Sequence, residues 1–205
     1  MTTITTPSPL AEAKKIANYL VAVLLPHCRV IDIAGSVRRN KQEVKEIEIC
    51  CLPKLKVTDR STLFEKLEPL VEVDPGFINT VNGLGITMMG RPTGKQMKIH
   101  LSKHKINLDL FIPDEADYYR QLAIRTGPDK YSHRVIAIAW RRNGWCGTDQ
   151  GLRRTTDCEP VFNRINEQVG WKCVAKEPYL PPVWKSEQDF FQWLGLPYKE
   201  PRHRH

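Results

Sequence analysis

The sequence of 205 residues contains no apolar run long enough to cross a bilayer as a helix, which excludes a helical membrane anchor as the organising feature. Its opening, MTTITTPSP, lacks the basic start and apolar core of a secretory signal, so the cytoplasm is the expected compartment. None of the six cysteines (Cys28, Cys50, Cys51, Cys146, Cys158 and Cys173) belongs to a Cys-x-x-Cys pair. That argues against a disulfide framework and for a reduced setting. Cys146, Cys158 and Cys173 with a distant histidine are one conceivable zinc set, but their spacing matches no compact zinc module. Gly83, Gly85, Gly90 and Gly94 do not have the spacing of a dinucleotide fingerprint, and there is no internal repeat.

What is present describes an ordinary globular chain with a basic bias. Apolar residues make up 41% of it, enough for one good core or for a main domain with a small appendage. Lys and Arg number 31 against 23 Asp and Glu, for a net charge of +8. A surplus of this size favours polyanionic partners, although a moderately basic surface also serves solubility alone.

The informative stretch is Ala34–Leu52, AGSVRRNKQEVKEIEICCL. A Gly-Ser pair ends a short apolar run, two arginines follow, and a polar connector leads into Glu46-Ile47-Glu48-Ile49. In a strand, alternate side chains share a face, so Glu46 and Glu48 project together while Ile47 and Ile49 pack behind them. Two adjacent carboxylates repel unless a cation lies between them, and hard oxygen ligands of this kind suit Mg²⁺. The Gly-Ser turn offers close backbone approach, N–H donors and nearby Arg charge to a phosphate. The plainer reading of Glu-Ile-Glu alone is a half-buried strand with a solvated acidic face. A third carboxylate, Asp109, stands in a second alternating segment, Ile106–Ile112, opposite the face carrying Ile106, Leu108, Leu110 and Ile112.

Together these residues resemble the polymerase X family of polymerase-beta-like nucleotidyltransferases. That family has a Gly-Ser-x-Arg-Arg turn, two acidic residues on the next strand and a third on a later strand. The pattern falls here on Gly35, Ser36, Arg38, Arg39, Glu46, Glu48 and Asp109. A Thr-Gly turn at Thr126-Gly127 and the tail SEQDFFQWLGLPYKEPRHR, with a short helix before a Tyr-x-x-Pro end, extend the likeness to the C-terminus.

The resemblance implies an α+β fold. Residues 1–8 would be a disordered start, 9–126 a palm with a mixed sheet and helices on one face, and 127–205 a small α/β thumb-like domain. It implies that Glu46, Glu48 and Asp109 are catalytic and hold two Mg²⁺ ions, with Mn²⁺ as an alternative. Gly35, Ser36 and Arg39 would neutralise departing phosphates, and Ile124, Arg125, Thr126, Gly127 and Asp129 would bound the incoming nucleotide. The implied partners are a DNA primer-template and a nucleoside triphosphate, the implied state is a monomer, and the implied setting is repair or replication. No lyase domain is expected. Transfer to RNA, a small molecule or a protein hydroxyl keeps the same chemistry, and a degenerate palm that only binds nucleic acid is the non-enzymatic alternative. Three positions depart from the family: Glu46 and Glu48 replace the usual aspartates, Lys45 replaces a common glycine, and Ile124-Arg125 replaces an aromatic pair.

Along the chain, Leu10–Leu24 has helical spacing, with Ser8 as its expected cap. Strands are expected at Arg29–Ala34, Glu46–Leu52, Lys95–Leu101 and Ile106–Ile112, with Ser36 capping a short helix after the first. Helices are expected at Asp59–Leu70, Glu115–Arg125 and Tyr131–Arg142. The last of these would turn His133, Arg134, Arg141 and Arg142 either to a ligand or to solvent. The glycines of Asp74–Gly94 read as turns and bulges, and Trp145–Arg154 reads as a hairpin. Thr155–Pro182 shows no clear pattern. Ser186 caps a last helix that ends at Gly195, and the final RHRH reads as a basic tail.

Overall fold

A computed structural model describes residues 7–59 and 68–205. Most of the expected disordered start, and the body of the helix expected over Asp59–Leu70, lie outside the described residues. The chain begins with β1 (Ser8–Pro9), which pairs antiparallel with β3 (Glu43–Val44), and continues into α1 (Leu10–Leu24). Ser8 therefore does not cap α1; its backbone is spent on the ladder, and the N–H of Leu10 donates to the carbonyl of Gln42. Next come β2 (Cys28–Ile33), α2 (Gly35–Arg38) and β4 (Glu46–Pro53). Ser36 lies inside α2 and does not cap it.

An antiparallel ribbon of β5 (Leu55–Thr58) and β6 (Leu70–Val73) leads to α3 (Pro75–Gly83), β7 (Ile86–Gly90), β8 (Gln96–Leu101) and β9 (Ile106–Phe111). The Asp74–Gly94 segment thus holds a helix and a strand besides its turns. The Asp74 side chain accepts from the N–H of Phe77 and Pro75 occupies the first turn, a start signal that the neighbouring glycines obscure. One five-stranded mixed sheet results, in the order β2-β4-β9-β8-β7, with β4 and β9 parallel and the other neighbours antiparallel.

Alternation decides what each face of this sheet does. Ile47, Ile49 and Cys51 of β4 pack with Met97, Ile99 and Leu101 of β8 and with Ile106, Leu108 and Leu110 of β9. Against them lie Ala13, Ile16, Ala17, Leu20 and Leu24 of α1, and Phe77 and Val81 of α3. Each large aliphatic side chain buried this way contributes roughly 1.5–3 kcal/mol. The even-numbered residues of β4 face the other way and change character along the strand. Glu46 and Glu48 come first; Cys50 and Leu52 then join Phe111, Tyr118 and Leu122 in a second apolar cluster. That cluster is closed by α4 (Tyr118–Thr126), so α1 and α3 lie on one face while α4 covers part of the opposite face, where the sequence led one to expect helices on one face only.

Past α4 the chain builds a second core. Short α5 (Asp129–Tyr131), a π-helical stretch over Ser132–Ala137 and α6 (Ile138–Arg142) run on end to end. The expected hairpin is β10 (Trp145–Thr148) with β11 (Gly151–Arg154). A further hairpin, β12 (Cys158–Phe162) with β13 (Gln168–Cys173), occupies the stretch that showed no pattern. Finally α7 (Glu187–Trp193) starts at Ser186, whose side chain accepts from the N–H of Asp189. Trp145, Trp184, Phe190, Phe191 and Leu194 pack with Trp140 and with Ala123 of α4. Helix α4 therefore contributes to both apolar clusters and couples the two halves. The fold is α+β, a mixed sheet with helices followed by a smaller α/β unit. No helix among the described residues is long and apolar enough to cross a membrane.

Candidate active site

The three carboxylates stand in one neighbourhood because of strand register. In the parallel pair of β4 and β9, Glu48 lies directly beside Asp109, and Glu46 beside Asn107. All four project from the face opposite the α1–α3 core. Glu46 and Glu48 line an open cleft of about 620 Å³ with Ser36, Arg39, Lys41 and Lys45. Gly35 is the floor next to them. It has a φ of +60°, and a Cβ there would come within 1.7 Å of Glu48 Oε2, so only glycine fits.

The local charge is unbalanced. Burial, then the charge of Glu46, push the Glu48 carboxyl up to about 7, against the opposing pull of Arg39 and Arg125. Burial and Glu46 likewise push Asp109 up to about 6, with Lys98 opposing. Both shifts come first from burial and then from the neighbouring carboxylate, and the nearby cations only partly offset them. Lys98, the direct cross-strand neighbour of Asp109 on β8, was not singled out from the sequence. Its ammonium lies 3.0 Å from Glu46 Oε2 and 3.4 Å from Asp109 Oδ1.

A divalent cation is what the donor set implies, and the fit has two parts. The backbone places three hard oxygen donors on one face, and the buried Asp109 Oδ1 has only the long ion-pair contact to the Lys98 ammonium at 3.4 Å. The side chains as they stand do not converge: Glu48 rests on Gly35, while Glu46 and Asp109 share Lys98. Accordingly, no group of three or more His, Cys, Asp or Glu side chains among the described residues forms a ready metal cage. The donor types and strand register suit a divalent ion, and the side-chain positions as they stand, with Lys98 between Glu46 and Asp109, are not those of a formed metal cage.

The two arginines after Ser36 part ways. Arg39 donates to the carbonyl of Thr126 and lies against Gly127, which is held at a φ of +64°. Burial lowers the Arg39 guanidinium from its usual value, Glu48 raises it and Arg204 lowers it. Arg38 turns away from the cleft to Thr126 Oγ1 at 2.6 Å and to both oxygens of Glu187 at 3.1 and 3.0 Å.

The residues expected around a nucleotide divide between two places. Thr126 is buried and anchors both arginines. Ile124, Arg125 and Asp129 line a separate cleft of about 350 Å³ with Ser132, His133, Trp140, Arg141 and Trp171. The Arg125 guanidinium stacks over the Phe111 ring at 4.2 Å. His133 pairs with Asp129 at 3.1 Å, and Arg134, Arg141 and Arg142 are exposed.

Arg204 is the clearest miss of sequence reading. It is not part of a solvated tail: it is 0% exposed, 2.8 Å from Glu187 Oε1, and its guanidinium lies over Phe191 at 4.9 Å. Its only signal was its place in the Tyr-x-x-Pro tail.

Residues 121–205 match the family model of the DNA polymerase beta thumb. The match covers less than half of the chain and takes in α4 from Gln121 onward, the second core and the tail with Arg204. It supports a polymerase X-like relationship through the thumb; the sheet with the three carboxylates lies outside it. No curated protein matches the sequence.

Proposed function

We propose that the protein is a polymerase X-like nucleotidyltransferase that adds nucleotides to a DNA 3′-hydroxyl and releases pyrophosphate. The observation that carries this reading is the register of β4 on β9, which sets Glu48 beside Asp109 and Glu46 one step along, opposite Ser36 and Arg39. The thumb match over residues 121–205 favours a DNA acceptor over a small one, as does the net charge of +8.

Glu46, Glu48 and Asp109 would hold two Mg²⁺ or Mn²⁺ ions. When bound, such ions polarise a phosphoryl oxygen and favour ionisation of an attacking hydroxyl. Asp109 is the most enclosed of the three and can take up the proton of the primer hydroxyl at its carboxylate. Gly35 and Ser36 present backbone N–H groups to the triphosphate, and Arg39 supplies charge where it builds on the leaving pyrophosphate. The junction that Arg38, Thr126 and Glu187 tie together holds the Gly35-Ser36 turn against α4 and α7. Asp129 and Ile124, in the neighbouring cleft, bound the base and sugar.

The test is primer extension with and without template, offering each deoxynucleotide with Mg²⁺ or Mn²⁺. Template-directed or untemplated incorporation supports the reading. No incorporation on any DNA end, with transfer to RNA or another hydroxyl instead, moves the acceptor. No transfer of any kind leaves a degenerate palm that binds nucleic acid.

A further inference from the structure

The acidic face already contains a cation. Lys98 and Asp109 are direct partners in the antiparallel pair of β8 and β9, so the sheet register, not chance, aims this side chain at the carboxylates. The side chain crosses over β9 to reach β4, and its ammonium ends between Glu46 Oε2 at 3.0 Å and Asp109 Oδ1 at 3.4 Å. A Mg²⁺ ion coordinates such oxygens at about 2.0–2.1 Å. An ion bound to the same two oxygens would stand within a few ångströms of the ammonium, and two cations that close repel strongly where the site is partly enclosed. Ammonium and metal therefore exclude one another. The ammonium has somewhere to go, because the Lys98 side chain is 30% exposed.

We propose that Lys98 is a resident counter-ion of the three-carboxylate site, which a divalent cation must displace, and that it thereby sets the metal affinity of the nucleotide-free protein. The proposal rests on the metal-binding reading of Glu46, Glu48 and Asp109. Its consequence is an ordered loading. Without nucleotide, the metal competes against an ammonium already in place. A triphosphate brings negative charge that compensates the displaced lysine, so ions and nucleotide enter together. A merely structural ion pair would behave differently: removing it would cost the same stability with or without metal.

The experiment titrates Mg²⁺ and Mn²⁺ by calorimetry into the nucleotide-free protein, its Lys98→Met, Lys98→Arg and Glu48→Gln variants. Melting is followed in parallel in EDTA and in excess Mg²⁺. Lys98→Met is expected to bind the ion about three- to tenfold more tightly. It should melt below wild type in EDTA and gain more than wild type from Mg²⁺, while Lys98→Arg stays close to wild type. Equal affinity for wild type and Lys98→Met, or an equal melting deficit with and without Mg²⁺, overturns the proposal and leaves the carboxylate site standing if Glu48→Gln still weakens binding. If no variant binds the ion and Glu48→Gln matches wild type, the carboxylate site itself is wrong and the proposal falls with it.

Discussion

Arg38 and Glu187, 149 positions apart in the chain, are joined by two hydrogen bonds of 3.1 and 3.0 Å. Glu187 also receives Arg204, so one buried carboxylate holds one arginine from α2, next to the Gly35-Ser36 turn, and one from the C-terminal tail. Burial alone would raise its carboxyl, but the Arg204 hydrogen bond and the Arg38 charge outweigh burial and hold it below the usual carboxylate value. Removing one member of such a set strands the others. Glu187→Ala is expected to destabilise the fold by about 3–5 kcal/mol. Urea unfolding of the variant beside wild type checks it; a loss under about 1 kcal/mol would show the cluster to be solvated.

The carboxylates of the cleft predict a pH dependence of opposite sign to that of Glu187. Glu48 near 7 and Asp109 near 6 hold their protons more tightly in the fold than an unfolded chain does. Their contribution to stability is complete below the unfolded carboxylate range and is lost as pH rises through about 6 to 7. In EDTA the melting temperature should therefore fall between pH 5 and pH 7.5, roughly. Glu48→Gln should flatten that slope. A wild-type profile rising across the same interval contradicts the assignment.

The parts of the fold legible in the sequence are those where burial differs between faces. Strands β4, β8 and β9 alternate because one side meets α1 and α3 and the other meets solvent or the cleft, and that alternation placed Glu46, Glu48 and Asp109 correctly on one face. Hairpin β12–β13 gives no such signal, since Val161, Phe162 and Val169 are exposed along with its polar residues. The Lys98 contact was hidden for another reason: alternation shows which face the side chain takes, not that it reaches across a whole strand to Glu46. Arg204 looked like tail because a terminal basic run is solvated unless a buried acid awaits it, and Glu187 read simply as a first-turn helix residue. Beyond composition and pattern, resemblance supplied the expectation of a thumb, and the match over residues 121–205 agrees with it.

DNA binding should depend strongly on salt. If Lys and Arg contact phosphates, counterion release makes affinity fall with ionic strength, by an order of magnitude or more between about 50 and 200 mM salt for a handful of contacts. Fluorescence anisotropy with a labelled primer-template measures it. Binding that is flat over this range would favour an acceptor other than DNA.

Selection of the sugar should be weak. Ile124 lines the cleft beside Asp129, and Arg125 is stacked on Phe111, so no aromatic ring of that segment stands against a ribose. Shape alone rejects an extra hydroxyl by only about a hundredfold. The ratio of kcat/KM for dGTP over GTP on one primer-template is expected in the tens, roughly, and Ile124→Tyr should raise it. A wild-type preference in the thousands, on the order of what a polar-specific site achieves, would place the sugar discrimination elsewhere.

The most direct test of the central claim is nucleotide incorporation by Glu48→Gln on a primer-template in Mg²⁺, with the melting curve in EDTA as the check on folding. Gln keeps the shape beside Gly35 and removes one anionic donor from the pair with Asp109. The expected result is a folded protein whose incorporation falls by about a thousandfold or more, in line with loss of a group that stabilises developing charge. Incorporation at the wild-type rate by that folded variant would contradict the claim that these carboxylates perform the chemistry.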